Sequence, residues 1–248
     1  MWRNVQRWRG VVLIGIAVVA TIWLSVGNQL VLYIHPRYIV FTIIMGVLAL
    51  GLVVASLLVR THPEDEEQPR RSAKILSIVG LCVATLIAVA MVAIPPATLT
   101  SATASQRDIN STTLGAETQS VDAADAASVA TFTTFTVVDW ASLLRQTSDL
   151  SFYDGKPVDV VGFITADPDD PTNMFYVSRF VVTCCAVDAQ PTGIPVFLAQ
   201  WQDTYAVDDW IEATGQFGTN PSTASKQSIA LSPDSVTKVD QPSEPYLY

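Results

Sequence analysis

Two adjacent cysteines, Cys184 and Cys185, are followed closely by Asp188. Of all residues in this chain, these three are the best suited to metal-binding or redox chemistry. Two thiolates and one carboxylate form a ligand set that zinc or copper accepts. Adjacent residues of a regular strand point to opposite faces, so the two sulfurs and Asp188 can meet only at a strand end or a bulge. A disulfide between neighbouring cysteines would be strained and easily reduced, as in a redox switch. A structural pair, with at least one cysteine buried, is the third interpretation, and the sequence leaves all three open.

The remaining residues argue against an enzyme. Both histidines, His35 and His62, precede the region that carries the cysteines, so Ser-His and Cys-His nucleophile pairs are not available there. The chain has no GxGxxG and no P-loop lysine motif. We therefore predict a non-catalytic protein without a cofactor, apart from a metal ion that Cys184 and Cys185 could hold.

Charge divides the 248-residue chain into two parts. Residues 1–94 hold eight Lys/Arg and four Asp/Glu, a balance of +4, whereas residues 95–248 hold six and nineteen, a balance of −13. Nucleic acid is a poor partner for the acidic part, because phosphate binding needs clustered basic residues. Only 15% of all residues are charged, well below the roughly 25% of a typical soluble domain. The composition favours a membrane part followed by an acidic domain in water.

The first part contains three uncharged apolar runs, between residues 9 and 35, between 37 and 60, and from 75 to 94. A helix needs about 20 apolar residues to cross a bilayer, so the runs predict a three-helix transmembrane region over 1–94. Lys and Arg are concentrated at the N-terminus and in the 60–74 loop, which the positive-inside rule assigns to the cytoplasm. The expected localisation is a cell membrane, multi-pass, with the N-terminus cytoplasmic and the C-terminal domain extracytoplasmic.

The first two runs are separated by the sequence His35-Pro36-Arg37. Proline lacks a backbone donor and disfavours helix at the residue before it, so it separates two helices. His35 is either a metal ligand or proton relay, or simply a histidine of a turn at the membrane surface. A single histidine does not make a site, which favours the turn.

The second part begins with a segment, 95–130, that is rich in Ala, Thr, Ser and Asp. Such a segment buries too little apolar surface to offset its ordering entropy, which predicts a disordered linker. Residues 131–248 follow as an extracytoplasmic domain. There, five strand-like runs alternate with turn residues, a pattern typical of a small closed barrel or sandwich. The runs are 158–164, 174–183, 195–199, 210–217 and 229–239.

Four motifs together resemble the YcgQ-like family of bacterial membrane proteins. They are the His35-Pro36-Arg37 turn, the Gly162-Phe163 pair, Arg179-Phe180 leading into Cys184-Cys185-Ala-Val-Asp188-Ala, and a final Pro242-x-x-Pro245-Tyr-x-Tyr. The resemblance implies a membrane part and a C-terminal domain similar to an OB-fold. It also implies that the chain is the accessory subunit of a two-component permease, and that its partner is a larger polytopic protein of the YraQ-like permease family.

The sequence thus predicts a fold class of three transmembrane helices followed by a small OB-like β-barrel domain. The expected function is that of a non-catalytic permease subunit embedded in the lipid bilayer. The alternative is a membrane-anchored envelope thiol or metal-binding protein, in which Cys184 and Cys185 are the working groups. In both cases Arg179, Cys184, Cys185 and Asp188 are the candidate functional motif.

Overall fold

The computed structural model describes residues 2–58, 79–80, 82–83, 85–87, 98–111 and 119–248. The chain divides into two compact units, Met1–Ala97 and Thr98–Tyr248. The first carries the apolar helices and the second carries the sheet and the cysteine pair.

Two helices, α1 (Trp2–Val26) and α2 (Ile39–Leu58), make up the described core of the first unit. Short 3₁₀ turns at Leu30–Leu32 and Pro36–Tyr38 join them. The helices approach each other at glycines: a Cβ on Gly15 would lie 3.6 Å from Val53 Cγ1. Small residues allow this close packing between apolar helices.

In the second unit, helices precede the strands along the chain. The helices are α3 (Ser101–Ala104), α4 (Val121–Asp125), α5 (Val129–Phe132), α6 (Val137–Gln146) and α7 (Leu150–Tyr153). The strands are β1 (Val158–Ala166), β2 (Met174–Val181), β3 (Gln190–Phe197), β4 (Trp210–Thr219), β5 (Ile229–Lys238) and β6 (Tyr246–Leu247).

The six strands form one sheet in the order β1-β4-β5-β3-β2-β6. Strand β1 also pairs with β2, so β1, β2, β3, β5 and β4 form a closed ring. Most pairs are antiparallel, whereas β3 and β5 run parallel, and β6 runs parallel to the end of β2. The antiparallel pairing of β2 with β3 places the end of β2 beside the start of β3, and the loop between them carries the cysteine pair.

The core of this unit lies between α6 and the sheet. Trp140 of α6 is fully buried, and its ring centroid lies 5.3 Å from that of Phe217 on β4. Leu143, one turn further along α6, is also fully buried. Large apolar side chains of this kind stabilise a domain by about 1.5–3 kcal/mol each, so the unit forms a core without disulfides.

The predicted fold class is wrong. Among the described residues, one helical stretch is long and apolar enough to cross a membrane. It is Pro36–Ser56, which consists of the second 3₁₀ turn and most of α2. In α1 the apolar stretch Leu13–Val26 is shorter than a span. The third predicted span, 75–94, lies largely outside the described residues. The second unit is an α/β arrangement with a six-stranded sheet; its sixth strand, β6, has only two residues and gives no periodic signal.

The segment predicted as a disordered linker also differs from the expectation where the structure describes it. Ala104 of α3 and Ala124 of α4 are fully buried. Ser101 donates hydrogen bonds from its backbone N and its Oγ to the Asp208 carboxylate, at 2.6 and 2.9 Å. The segment has few large apolar residues, but hydrogen bonds hold its described part to the strand-bearing part of the chain, and composition alone does not predict such bonds.

Candidate functional site

The cysteine pair lies in the loop between β2 and β3, directly before a 3₁₀ turn at Ala186–Asp188. We call residues 183–189 the cysteine loop. The Asp188 carboxylate shapes it by accepting three backbone hydrogen bonds, from Thr183 N at 3.0 Å, Cys184 N at 2.8 Å and Cys185 N at 3.2 Å. In return, the sulfur of Cys185 accepts a hydrogen bond from the Asp188 N–H. This reciprocal pair is the capping box that begins many helices, and here it begins a single turn.

The two sulfurs point to the same side of the cysteine loop. Cys184 Sγ lies 3.5 Å from Cys185 Sγ, and both sulfurs and a carboxylate oxygen of Asp188 lie within 4.8 Å of one another. Strand β2 ends at Val181, so the alternation of a regular strand no longer separates neighbouring side chains. Cys184 is exposed and Cys185 is half-buried, so the expectation that at least one of them is buried is wrong.

Hydrogen bonding sets the protonation of the cysteine loop. The pKa of the Cys184 thiol is raised to about 12, first by its hydrogen bond to the Asp188 carboxylate and then by its contact with Cys185. Burial by itself raises the pKa of Asp188, but hydrogen bonds from the Cys184 thiol and from the loop backbone outweigh it, and the net pKa is lowered. At neutral pH the site therefore holds a protonated Cys184 thiol beside an ionised carboxylate.

A second charged residue, Arg107, supports the cysteine loop from a distant part of the chain. Its guanidinium donates hydrogen bonds to the carbonyl oxygens of Val187, at 3.0 Å, and Ala189. Nearby, the Asn110 side chain donates to Gly193 O at 2.8 Å and accepts from Gly193 N at 3.0 Å. Sequence analysis missed both residues. The available signal was that Arg107 is the only basic residue between 95 and 130.

Arg179, the fourth member of the predicted motif, has a different set of contacts. It is buried, and its guanidinium donates to the carbonyl oxygens of Val161, at 3.3 Å, and Glu244, at 2.9 Å. It also lies 5.2 Å from the centroid of the Trp210 ring. Burial lowers its pKa. Its hydrogen bonds go to β1 and to the C-terminal segment, which indicates a structural role at the end of β2.

In the first unit, the His35-Pro36-Arg37 turn caps the start of the apolar helix. His35 Nδ1 accepts a hydrogen bond from Arg37 N at 3.1 Å, and Pro36 occupies the first position of the 3₁₀ turn. The Arg37 guanidinium lies 5.3 Å from the centroid of the Tyr38 ring. Proline at a first helical position and a side-chain acceptor before it are ordinary start signals, so the geometry is that of a turn.

Two family models match the chain. Residues 8–110 match the DUF1980 N-terminal domain and residues 112–248 match the DUF1980 C-terminal domain. The chain therefore belongs to the DUF1980 family. Searches of curated proteins and of solved structures found no match.

Proposed function

We propose that this member of the DUF1980 family binds a thiophilic divalent metal ion, with Zn²⁺ as the best fit, at Cys184, Cys185 and Asp188. The observation that carries the proposal is the convergence of two sulfurs and one carboxylate oxygen within 4.8 Å on an exposed loop. A binding protein of this kind needs no catalytic residue, in keeping with the expectation of a non-enzyme.

The distance between the sulfurs allows both to bind one ion from the same side, and it does not fit a linear ion. With metal–sulfur bonds of about 2.3 Å, two ligands of a tetrahedral ion lie about 3.8 Å apart and two ligands of a linear ion about 4.6 Å apart. The separation of 3.5 Å between Cys184 Sγ and Cys185 Sγ is close to the tetrahedral value. Asp188 Oδ1 accepts one backbone hydrogen bond, whereas Oδ2 accepts two. Oδ1 therefore keeps a lone pair for the metal ion.

The structural interpretation of the pair has less support. A structural pair is typically buried, whereas Cys184 is exposed. A redox switch and a metal site both use the thiolate, so the raised pKa of Cys184 does not separate these two interpretations, and a metal ion displaces the thiol proton when it binds.

Metal titration of the full-length chain in detergent tests this proposal. We expect one Zn²⁺ or Co²⁺ per chain, with a sulfur-to-cobalt charge-transfer band in the Co²⁺ form. Cys184→Ala and Cys185→Ala should each lose most of the affinity, whereas Cys82→Ala, which removes the one cysteine outside the loop, should bind as the unmodified chain does. Equal binding by the Cys184→Ala variant and the unmodified chain would refute the proposal.

We also propose, as a second function, that the chain is the non-catalytic accessory subunit of a two-component membrane permease. Its support is the set of motifs shared with the YcgQ-like family, together with the apolar helix Pro36–Ser56 as a membrane anchor. The partner is a polytopic protein of the YraQ-like family, and the second unit, which carries the sheet, lies on the extracytoplasmic side. In that arrangement the metal ion is cargo that the cysteine loop presents to the permease.

Affinity purification of the tagged chain from its native membranes tests this second function. We expect a YraQ-like polytopic protein to copurify in a fixed ratio, and a reporter fused after Tyr248 to be active outside the cytoplasm. Purification of the chain without such a partner under mild detergent, or a cytoplasmic signal from the reporter, would contradict it.

A further inference from the structure

We infer that the metal site of the cysteine loop is an exchange site, whose fourth ligand comes from a histidine or cysteine side chain of a partner protein. The inference rests on the proposed metal-binding function and adds how the metal ion enters and leaves.

The number of ligands is the first observation. Cys184, Cys185 and Asp188 are the one group of three or more metal-ligating side chains among the residues that the structure describes. The sequence from 95 to 248 contains no histidine and no further cysteine. Structural zinc sites have four protein ligands, whereas zinc sites that react with an outside molecule have three and keep one position open. The cysteine loop supplies three.

Exposure is the second observation. Cys184 is exposed, and Val187 in the following turn is 81% exposed. The two charged residues that anchor the loop act on its backbone: Asp188 binds three N–H groups and Arg107 binds the carbonyl oxygens of Val187 and Ala189. The sulfurs are therefore held in position and stay accessible to an incoming ligand.

Imidazole and thiolate are the ligands that complete a site with two sulfurs and one oxygen. In the exchange step the incoming side chain binds the open position first, and a loop cysteine then leaves the metal ion. A thiol releases one proton when it binds as thiolate, and the departing cysteine takes up one proton. The metal ion keeps its oxidation state, so no electron donor or acceptor is required.

The experiment uses the full-length Cys82→Ala chain loaded with Co²⁺, so that the loop cysteines are its only thiols. Imidazole is added as the model for histidine, and 2-mercaptoethanol as the model for cysteine. We expect a saturable ternary complex in both cases. The sulfur-to-cobalt band should persist with imidazole and should grow by about half with the thiol, as the number of bound sulfurs rises from two to three. The rate of Co²⁺ transfer to an excess of chelator should rise in proportion to the concentration of added ligand.

The possible results separate the two proposals. If Co²⁺ does not bind at Cys184 and Cys185, the metal-binding function itself is wrong. If Co²⁺ binds but the added ligands leave the spectrum and the transfer rate unchanged, or remove Co²⁺ without a ternary complex, the metal-binding function stands and the exchange inference is overturned.

Discussion

The protonation of Cys184 gives the sharpest test of the site, through the substitution Asp188→Asn. The Asp188 carboxylate is the largest cause of the raised pKa of Cys184, which lies at about 12. An amide in its place has no negative charge, so the pKa of Cys184 should fall toward the ordinary value of about 8.5. Asparagine keeps one oxygen that can accept hydrogen bonds from the loop backbone, and the loop should stay folded.

The magnitude follows from two opposing effects. If the pKa falls by about 2, the thiolate fraction at pH 8 rises by about 100-fold. A thiolate of lower pKa is also a weaker nucleophile, with a Brønsted coefficient of about 0.5, which offsets about tenfold of that gain. We therefore expect Asp188→Asn to speed alkylation of Cys184 by about tenfold.

The assay is the rate of iodoacetamide modification at pH 8, followed by mass spectrometry, in a chain whose other two cysteines are alanine. Asp234→Asn, which removes an exposed acidic residue elsewhere, is the matched control and should leave the rate unchanged. An unchanged or slower rate for Asp188→Asn, with an intact circular dichroism spectrum, would refute the assigned hydrogen bond.

Three further predictions concern the support of the site and the sheet. Arg107→Ala removes the hydrogen bonds to the loop carbonyls. Loss of hydrogen bonds that hold the ligands in position should weaken the Co²⁺ affinity by about 10-fold or more. In a Co²⁺ titration, the affinity of Arg107→Lys should lie between those of Arg107→Ala and the unmodified chain. The pKa of Asp170 is lowered, chiefly by the hydroxyl of Ser222, so its stabilising effect is present above its unfolded pKa of about 4 and is lost as the pH falls through the lower folded value. Urea unfolding at several pH values should show a smaller acid-induced loss of stability for Ser222→Ala. A Cβ at position 162 would lie 2.6 Å from Ser178 O, so Gly162→Ala should lower the free energy of unfolding by about 1–3 kcal/mol, and an unchanged unfolding midpoint would contradict the close approach of β1 to β2.

The strands were the most predictable part of the second unit. Turn residues such as Asp154-Gly155 and Asp208-Asp209 flank apolar runs of strand length. All five predicted runs overlap the strands β1 to β5. Strand β3 begins at Gln190, earlier than predicted, because Pro191 and Gly193 resemble turn residues. Pro191 pairs with Phe180 in the antiparallel ladder nevertheless. Local residue preference was overridden here by pairing with a distant strand.

The apolar helices were predicted less well, for a physical reason. A run without charged residues shows that a helix would be stable in a bilayer, but it does not set where that helix begins. Helix α1 begins at Trp2 and takes in the N-terminal arginines, and its apolar stretch among the described residues is Leu13–Val26. Helix α2 begins where His35 and Pro36 provide a start signal, and it alone meets the length needed for a span among the described helices.

The candidate metal ligands of the site could be predicted from the sequence, but the residues that hold the loop in position by hydrogen bonds could not. Cys184, Cys185 and Asp188 lie within five residues, and the end of β2 decides that they face one side. Arg107 reaches the same loop from far away in sequence, and no local pattern connects the two segments. Contacts of this kind form only in the folded chain, where Asn110 and Gly193 of β3 are joined by two hydrogen bonds.

The hydrogen bonds of the cysteine loop argue for a binding role over a packing role. Ordering an exposed loop costs about 1–2 kcal/mol of conformational entropy per residue. If the cysteine pair had only a packing role, burial of its side chains would have to offset this cost. Here Cys184 is exposed, and the loop is ordered by one anion, Asp188, on its N–H groups and one cation, Arg107, on its carbonyl oxygens. Such charge-assisted bonds are stronger than neutral ones. They fix the two sulfurs before a ligand arrives, and a preorganised site loses less entropy when the ligand binds.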